Sequence, residues 1–294
     1  MILALAWLLQ SEPVALKFGG TTDDSQPVTV ELTLTLKISG TDQIVNMVRS
    51  AEAFLNFEKI RVRGEGKRHI KAVEKGAVRY RLDMEQARVD GRYDDEDYEF
   101  DFSAASPPEG LDDPKKKLQQ ICWWLGMGGR EYTLDPKGVY ASNDQNQDAW
   151  GELLDYVGVG AVRLPEKPVA VGVEWESKWK TARKQKDNDG KYAVVQKAKV
   201  ERVEKKDGRR RARISYAMTG DLEVAKERQD PNAKKSENKF EGSGWIEVDA
   251  DSGFVIAGEG KGTVHAWSVF ANSEGGEDHK LDLVATVESK IVPR

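Results

Sequence analysis

The sequence predicts a mainly β protein of the α+β kind, built from two similar halves of antiparallel sheet with two central helices. Apolar and polar residues alternate in segment after segment, which is typical of antiparallel sheet with one buried and one solvated face. Two similar hairpin signals, Tyr132–Tyr140 and Trp245–Val255, each place a turn with Asp and Gly between two short apolar runs. Two segments near the middle of the chain have helical periodicity instead.

The clearest predicted strand is Val28–Ile38, where every second residue is apolar and the residues between are mostly Thr, Glu and Lys. The same period of two recurs in four later segments, at residues 78–84, 98–102, 212–218 and 281–291. Residues 42–57 fit a helix about as well as an irregular strand, and the sequence leaves that choice open.

The two predicted helices lie near residues 113–125 and 147–157. Asp113 can cap the first helix, Pro114 suits its first position and Gly126 ends it. Apolar residues in both segments follow the spacing i, i+3, i+4, i+7. We expect both helices to pack on a sheet.

A Pro-rich connector at residues 164–172 divides the chain into a β-rich N-terminal half, 13–162, and a β-rich C-terminal half, 163–294. Residues 1–12 stand apart, because the apolar Ile2–Leu9 has the length of a signal-peptide core but lacks a basic start and a good cleavage site. A truncated signal peptide is the favoured interpretation, and a buried first strand is the alternative. We expect an exported, periplasmic or cell-envelope protein, with a cytoplasmic location as the alternative, and no membrane span.

Charge is unevenly distributed along the 294 residues, whose formal net charge is −5. Residues 83–113 contain twelve acidic and two basic residues, whereas residues 163–213 contain seventeen basic and eight acidic ones. Cations interleaved with Trp175, Trp179 and Tyr192 could bind nucleic acid, but the alternation favours solvated strand faces, so no nucleic-acid partner is predicted. The two segments could offset each other or engage different protein partners.

No motif points to catalysis, a cofactor or a metal. The stretch Gly258–Thr263 lacks the Gly-Lys-Ser/Thr order of a phosphate loop, and Gly242–Gly244 falls short of a nucleophile elbow. Both are better explained as strand glycines at a bend or bulge. Asp249–Gly253 has the opening spacing of a calcium loop but also suits a tight turn, and Gly260 stands where the loop needs Glu. The three histidines have no metal-ligand spacing. The sequence therefore predicts a protein that is not an enzyme.

Four aromatic residues of the predicted helices are the candidate ligand-binding residues: Trp123, Trp124, Trp150 and Tyr156. Helices carrying them could partly fill the concave side of a curved sheet and leave an apolar cavity for a lipid or acyl chain. In the alternative interpretation, the four residues simply complete a packed core.

Residues Leu164–Trp175 (LPEKPVAVGVEW), Tyr192, Val194 and Gly244–Gly253 resemble a family of uncharacterised exported bacterial proteins defined by a domain of unknown function. The β-rich folds of that family look like duplicated relatives of the periplasmic lipoprotein carriers. The resemblance implies a curved antiparallel sheet in each half, with helices against a concave face. Val173 departs from the polar residue expected there, and no catalytic residues are established for the family.

Two functions follow as expectations. The first is a non-enzymatic envelope protein that binds a hydrophobic ligand or a lipidated partner in a concavity of the sheet. The second is a structural or adaptor protein that makes protein–protein contacts through its acidic and basic segments and has no ligand cavity.

Overall fold

The computed structural model describes residues 13–51, 56–93, 95–102, 116, 130–138, 140–142, 162–182, 190–224, 233–272 and 275–294. Within these ranges the elements are, in chain order, β1 (Ser25–Gly40), α1 (Asp42–Ala51), β2 (Phe57–Glu74), β3 (Ala77–Tyr93), β4 (Glu96–Phe102), β5 (Arg130–Leu134), β6 (Tyr140–Ser142), β7 (Glu174–Ala182), β8 (Gly190–Lys206), β9 (Arg209–Val224), β10 (Ala233–Asp249), β11 (Val255–Phe270) and β12 (His279–Pro293). The predicted helices near 113–125 and 147–157, and the apolar Ile2–Leu9, lie outside the described residues.

The strands form one continuous antiparallel sheet in the order β6-β5-β3-β2-β1-β12-β11-β10-β9-β8-β7, with β4 also paired to β3. The prediction of a mainly β, antiparallel protein is confirmed. The prediction of two separate halves of sheet is wrong, because Val28–Gly40 of β1 pairs with Leu281–Pro293 of β12 and joins the first strands to the last ones. Local periodicity cannot reveal which distant strands pair, so no pattern in the sequence indicated this junction.

Local sequence patterns account for the individual elements. Val28, Leu34 and the other alternate apolar residues of β1 are buried, while the threonines between them are half-buried on the opposite face. The segment 42–57 begins as helix α1, in which Ile44 is buried and Val48, one turn later, packs against the core. Strand β2 begins at Phe57.

Two hairpins have matching two-residue turns. Lys75 and Gly76 connect β2 to β3 with φ angles of 51° and 83°, and Asp207 and Gly208 connect β8 to β9 with φ angles of 52° and 78°. Positive φ at both central residues is the condition of the turn type that matches the twist of a tight hairpin. Each turn therefore sets the register of the strand residues next to it, and β-bulges shift the register further along both hairpins.

The sheet is strongly curved, with its core face concave. The Arg68 Nη2 on β2 donates a hydrogen bond of 2.5 Å to the carbonyl oxygen of Ile256 on β11, although β1 and β12 lie between these strands. The ring of Tyr80 on β3 lies 6.0 Å from that of Phe254, just before β11. Neighbouring strands are about 4.8 Å apart, so a flat sheet would hold β2 and β11 about 14 Å apart, beyond the reach of these side chains.

The N-terminal segment 13–20 closes one end of this concave face. It forms an antiparallel bridge to the connector between Val14 and Val169, and Phe18 is almost completely buried. The Phe18 N–H donates to the Pro136 carbonyl, and the Gly19 N–H donates to the Gly253 carbonyl, each at 3.0 Å. One short segment thus contacts both of the hairpin turns that the sequence singled out.

Candidate functional site

The four predicted ligand-binding residues, Trp123, Trp124, Trp150 and Tyr156, lie outside the described residues. The structure therefore neither brings them together nor separates them. The concave core face formed by the described strands supplies the candidate site, and different residues define it.

Five glycines lie side by side on this core face, and we call them the glycine floor: Gly242, Gly244, Gly258, Gly260 and Gly262. Gly244 of β10 pairs with Gly260 of β11, and Gly242 pairs with Gly262, so the residues form one patch across two neighbouring strands. Because glycine has no side chain, the strands themselves present only backbone atoms at these five positions. The sequence identified these residues but assigned them to a bend or bulge; the structure places them at regular register positions within the strands.

The residues beside the glycine floor are mainly apolar. Along one row of the core face, Gly260 is flanked by Ser289 of β12, and Gly244 is flanked by Tyr216 of β9. In the adjacent row, Val287 and Met218 take the corresponding positions, and both are buried. Tyr216 is buried as well, so the patch lies among packed and mainly apolar neighbours, which is the kind of lining that sites for hydrophobic ligands have.

Two aromatic side chains approach the β10 glycines closely. The Tyr216 hydroxyl lies 2.7 Å from the point that a Cβ atom on Gly244 would occupy, and the Phe240 ring lies 3.0 Å from the corresponding point on Gly242. Any larger residue at Gly244 would also meet the backbone carbonyl of Glu259. Glycine is therefore required at Gly244, whereas at Gly242 a small shift of the Phe240 ring would admit a side chain.

A buried arginine lies at the closed end of the same face. Arg68 is 1% exposed, and its Nη2 donates to Ile256 and, at 3.2 Å, to Oε1 of Gln26. Its guanidinium lies 5.6 Å from the centre of the Phe254 ring, while Nε and Nη1 have no hydrogen-bond partner within the described part of the chain. Burial lowers the pKa of Arg68, and the neighbouring Tyr132 opposes that shift.

Sequence reasoning missed Arg68, although the strand pattern contains a signal for it. Alternate residues from Ile60 to Ile70 of β2 lie on the core face, and all of them except Arg68 are apolar or glycine. A cation at a core-facing position is costly to bury and would have marked this residue as unusual. Burial also raises the pKa of the nearby Tyr80, whose hydroxyl donates to the Gly19 carbonyl at 3.0 Å.

A more polar cavity of about 940 Å³ opens between α1 and β4. Leu36, Ile38 and Tyr98 give it an apolar part, and Arg49, Glu58 and Arg92 are among its charged lining residues. Charges of both signs make this cavity less suitable than the glycine floor for an acyl chain.

Some charges of the acidic and the basic segment form local ion pairs in the described structure. In the acidic one, Arg92 lies 3.2 Å from Glu58 and 3.7 Å from Asp97. In the basic one, Arg211 lies 2.7 Å from Asp207 and 3.2 Å from Glu247. The described ion pairs do not join one segment to the other, because β3 and β4 lie far along the sheet from β7, β8 and β9.

The residues considered for a calcium loop form a turn. Oδ1 of Asp249 accepts hydrogen bonds from the backbone N–H groups of Asp251, at 2.9 Å, and Ser252, at 3.0 Å. Among the described residues no group of three or more His, Cys, Asp or Glu side chains is arranged to hold a metal ion.

Together these features define a protein with a single, open, curved antiparallel sheet whose concave face carries a glycine floor. The chain matches no protein-family model and no curated protein. None of the helices in the described part of the chain has the length and apolar character needed to cross a membrane.

Proposed function

We propose that this protein is a non-enzymatic protein of the cell envelope that binds a hydrophobic ligand, or the acyl chain of a lipidated partner, on the concave face of its sheet. The glycine floor is the observation that carries the proposal. It combines a curved sheet, a mainly apolar border and a patch without side chains that spans two neighbouring strands.

The energetic cost of the three β11 glycines supports a role other than sheet stability. A glycine in the interior of a strand is less stable than alanine by roughly 0.5–1 kcal/mol, because it loses more backbone entropy and has no side chain to pack. Gly258, Gly260 and Gly262 repeat that cost at three successive core-facing positions of one strand. Strand glycines occur where a ligand or another backbone approaches closely, and an elongated apolar chain would make such an approach.

The envelope location belongs to the same proposal. Its support is the apolar stretch Ile2–Leu9 and the resemblance to exported proteins. Fractionation of the source cells, with the native protein detected by an antibody, would test it, and recovery in the cytoplasm alone would contradict it.

Ligand binding is tested by native mass spectrometry of protein purified without detergent, coupled to lipid extraction. We expect a stoichiometric lipid or acyl species on the wild-type chain. Gly242→Leu should reduce its occupancy about tenfold or more, because the new side chain occupies the space over the glycine floor in which the ligand is proposed to lie. The flexible Phe240 and Met218 side chains, at 3.0 and 3.4 Å from the new Cβ position, are the groups that must move.

Ala217→Leu is the matched control, since Ala217 lies next to Met218 in β9 but is exposed on the opposite face. It should retain the ligand. If Gly242→Leu does not fold, hydrogen exchange of the wild-type chain before and after delipidation replaces it, with ligand-dependent protection expected in β10 and β11. A bare polypeptide mass that does not change on incubation with fatty acids or phospholipids would contradict the proposal and favour the adaptor function.

A further inference from the structure

Strand β7 forms one edge of the sheet. Among the described strands it pairs only with β8, so the N–H and C=O groups along its other side have no strand partner there. An edge of this length, Glu174–Ala182, with no second partner among the described strands, is a template on which another strand can pair. The charges and aromatic residues of β7 indicate which strand fits it.

The sequence of β7 is complementary to itself. It reads Glu-Trp-Glu-Ser-Lys-Trp-Lys from residue 174 to residue 180, so its charges are of opposite sign on the two sides of Ser177. In an antiparallel pair of two copies centred on Ser177, Glu176 of each copy faces Lys178 of the other. The same register places residue 174, a glutamate, opposite residue 180, a lysine, and Trp175 opposite Trp179.

Only this register satisfies the charges. A slip of two residues in one direction places Glu176 opposite its own copy, and a slip in the other direction places Lys178 opposite its own copy. A slip of one residue moves every side chain to the opposite face of the sheet. Like charges directly opposite each other are destabilising, so the pattern selects a single pairing.

The side chains of β7 are already arranged for that contact. Glu176 and Lys178 are exposed on the outer face, where they form an ion pair of 2.8 Å with each other. On the core face, the Trp175 Nε1–H donates to the Arg163 carbonyl at 2.9 Å, and the Arg163 guanidinium lies 4.2 Å from the Trp179 ring. These contacts fix both rings beside the edge, where cross-strand aromatic pairs stabilise sheets.

We propose that β7 pairs with β7 of a second copy of this chain, which makes a symmetric dimer with one sheet continuous across both subunits. Such a contact is isologous, with the same patch on both partners. Charged residues on an edge strand also serve to prevent aggregation, but that role needs charge alone and not the order of two glutamates before two lysines. Dimerisation through β7 does not depend on the proposed ligand.

The experiment measures dimer dissociation by sedimentation equilibrium. The wild-type chain should dimerise, while Glu176→Lys and Lys178→Glu should each weaken the dimer roughly tenfold or more, because two attractive pairs become repulsive. An equimolar mixture of the two variants should form a heterodimer, since each facing pair at positions 176 and 178 then joins a lysine to a glutamate again. A structural defect in either variant would not produce this recovery.

The double variant Glu176→Lys/Lys178→Glu supplies a second test that keeps both charges in the strand. It should dimerise with itself about as tightly as the wild-type chain does, yet not mix with the wild-type chain. Lys261→Glu is the control, because Lys261 lies on the outer face of β11, away from the edge, and pairs with Glu288. A wild-type chain that stays monomeric at its highest soluble concentration, or single variants that dimerise like the wild type, would overturn the proposal.

Discussion

The turns after β5 and after β10 have similar sequences and contact the same N-terminal segment, but they differ in how deeply they enter the core. In the first turn, Asp135 accepts a hydrogen bond of 2.8 Å from the Lys137 N–H and is half-buried. In the second, Asp249 accepts two such bonds and is 5% exposed. Phe254, Val255 and Ile256 follow directly, and all three are buried.

This difference separates turn formation from closure of the fold. Both turns form because Asp and Gly satisfy the local backbone geometry. Only the second also supplies side chains that reach across the concave face, to Arg68 and Tyr80. We therefore expect substitutions in the second turn to destabilise the protein more than matched substitutions elsewhere.

The largest expected effect is that of Phe254→Ala. It should lower the free energy of unfolding by about 3–5 kcal/mol, because it removes a buried ring and leaves a cavity beside Arg68. Pro136→Ala, in the first turn, should cost about 1 kcal/mol or less, chiefly through the unfolded chain. Urea denaturation followed by circular dichroism measures both. If both variants lost the same free energy of unfolding, the predicted difference between the two turns would be wrong.

Gly253→Ala should have the next largest effect and should lower the free energy of unfolding by roughly 2–4 kcal/mol. Gly253 has φ of +85°, and a Cβ atom there would lie 2.6 Å from the Gly19 nitrogen and the Lys17 oxygen, so strain adds to a backbone clash. Gly208→Ala is the matched control, because its φ is +78° but no atom lies within 4 Å of the added Cβ. It should cost only about 1–2 kcal/mol, from strain alone. Similar denaturation midpoints for the two variants would contradict the role of the N-terminal segment.

Asp249→Ala tests the hydrogen bonds of the two turns directly. It leaves two partly buried backbone N–H groups without their acceptor and should cost about 1–3 kcal/mol. Asp135→Ala loses one bond at a more exposed position and should cost about 1 kcal/mol or less. Thermal unfolding of both variants, each measured against wild type, would show which variant loses more stability. A larger loss of stability for Asp135→Ala would contradict the prediction.

The smallest expected effect concerns His69, on β2 beside Arg68. Burial lowers the pKa of His69 from its ordinary value of 6.5, although Asp83 at 3.6 Å opposes the shift. The fold therefore disfavours the protonated ring, and stability should decline as pH falls below 6.5 towards the pKa of the folded state. His69→Gln should remove this part of the pH dependence. His265→Gln is the comparison variant. NMR titration of the imidazole signals measures the His69 pKa, and a value at or above 6.5 would contradict the prediction.

Much of the local structure follows from short stretches of sequence. The alternation in Val28–Ile38 predicted β1 and its buried face, and the later alternating segments fall within β3, β4, β9 and β12. For residues 42–57 the sequence left helix and strand open, and α1 occupies the first part while β2 begins at Phe57. Burial of Ile44 and packing of Val48 against the core, one helical turn apart, account for the helix.

The sequence by itself determined the β character of this protein, the faces of its strands and the positions of its two Asp-Gly turns, because each depends on residues close together in the chain. Only the tertiary structure decided that β1 pairs with β12, that glycines of β10 and β11 form one floor, and that Arg68 is buried beneath Phe254. These features depend on which distant strands meet and how the sheet curves. A period of two fixes the side on which a residue lies, but it carries no information about the strand that will lie beside it.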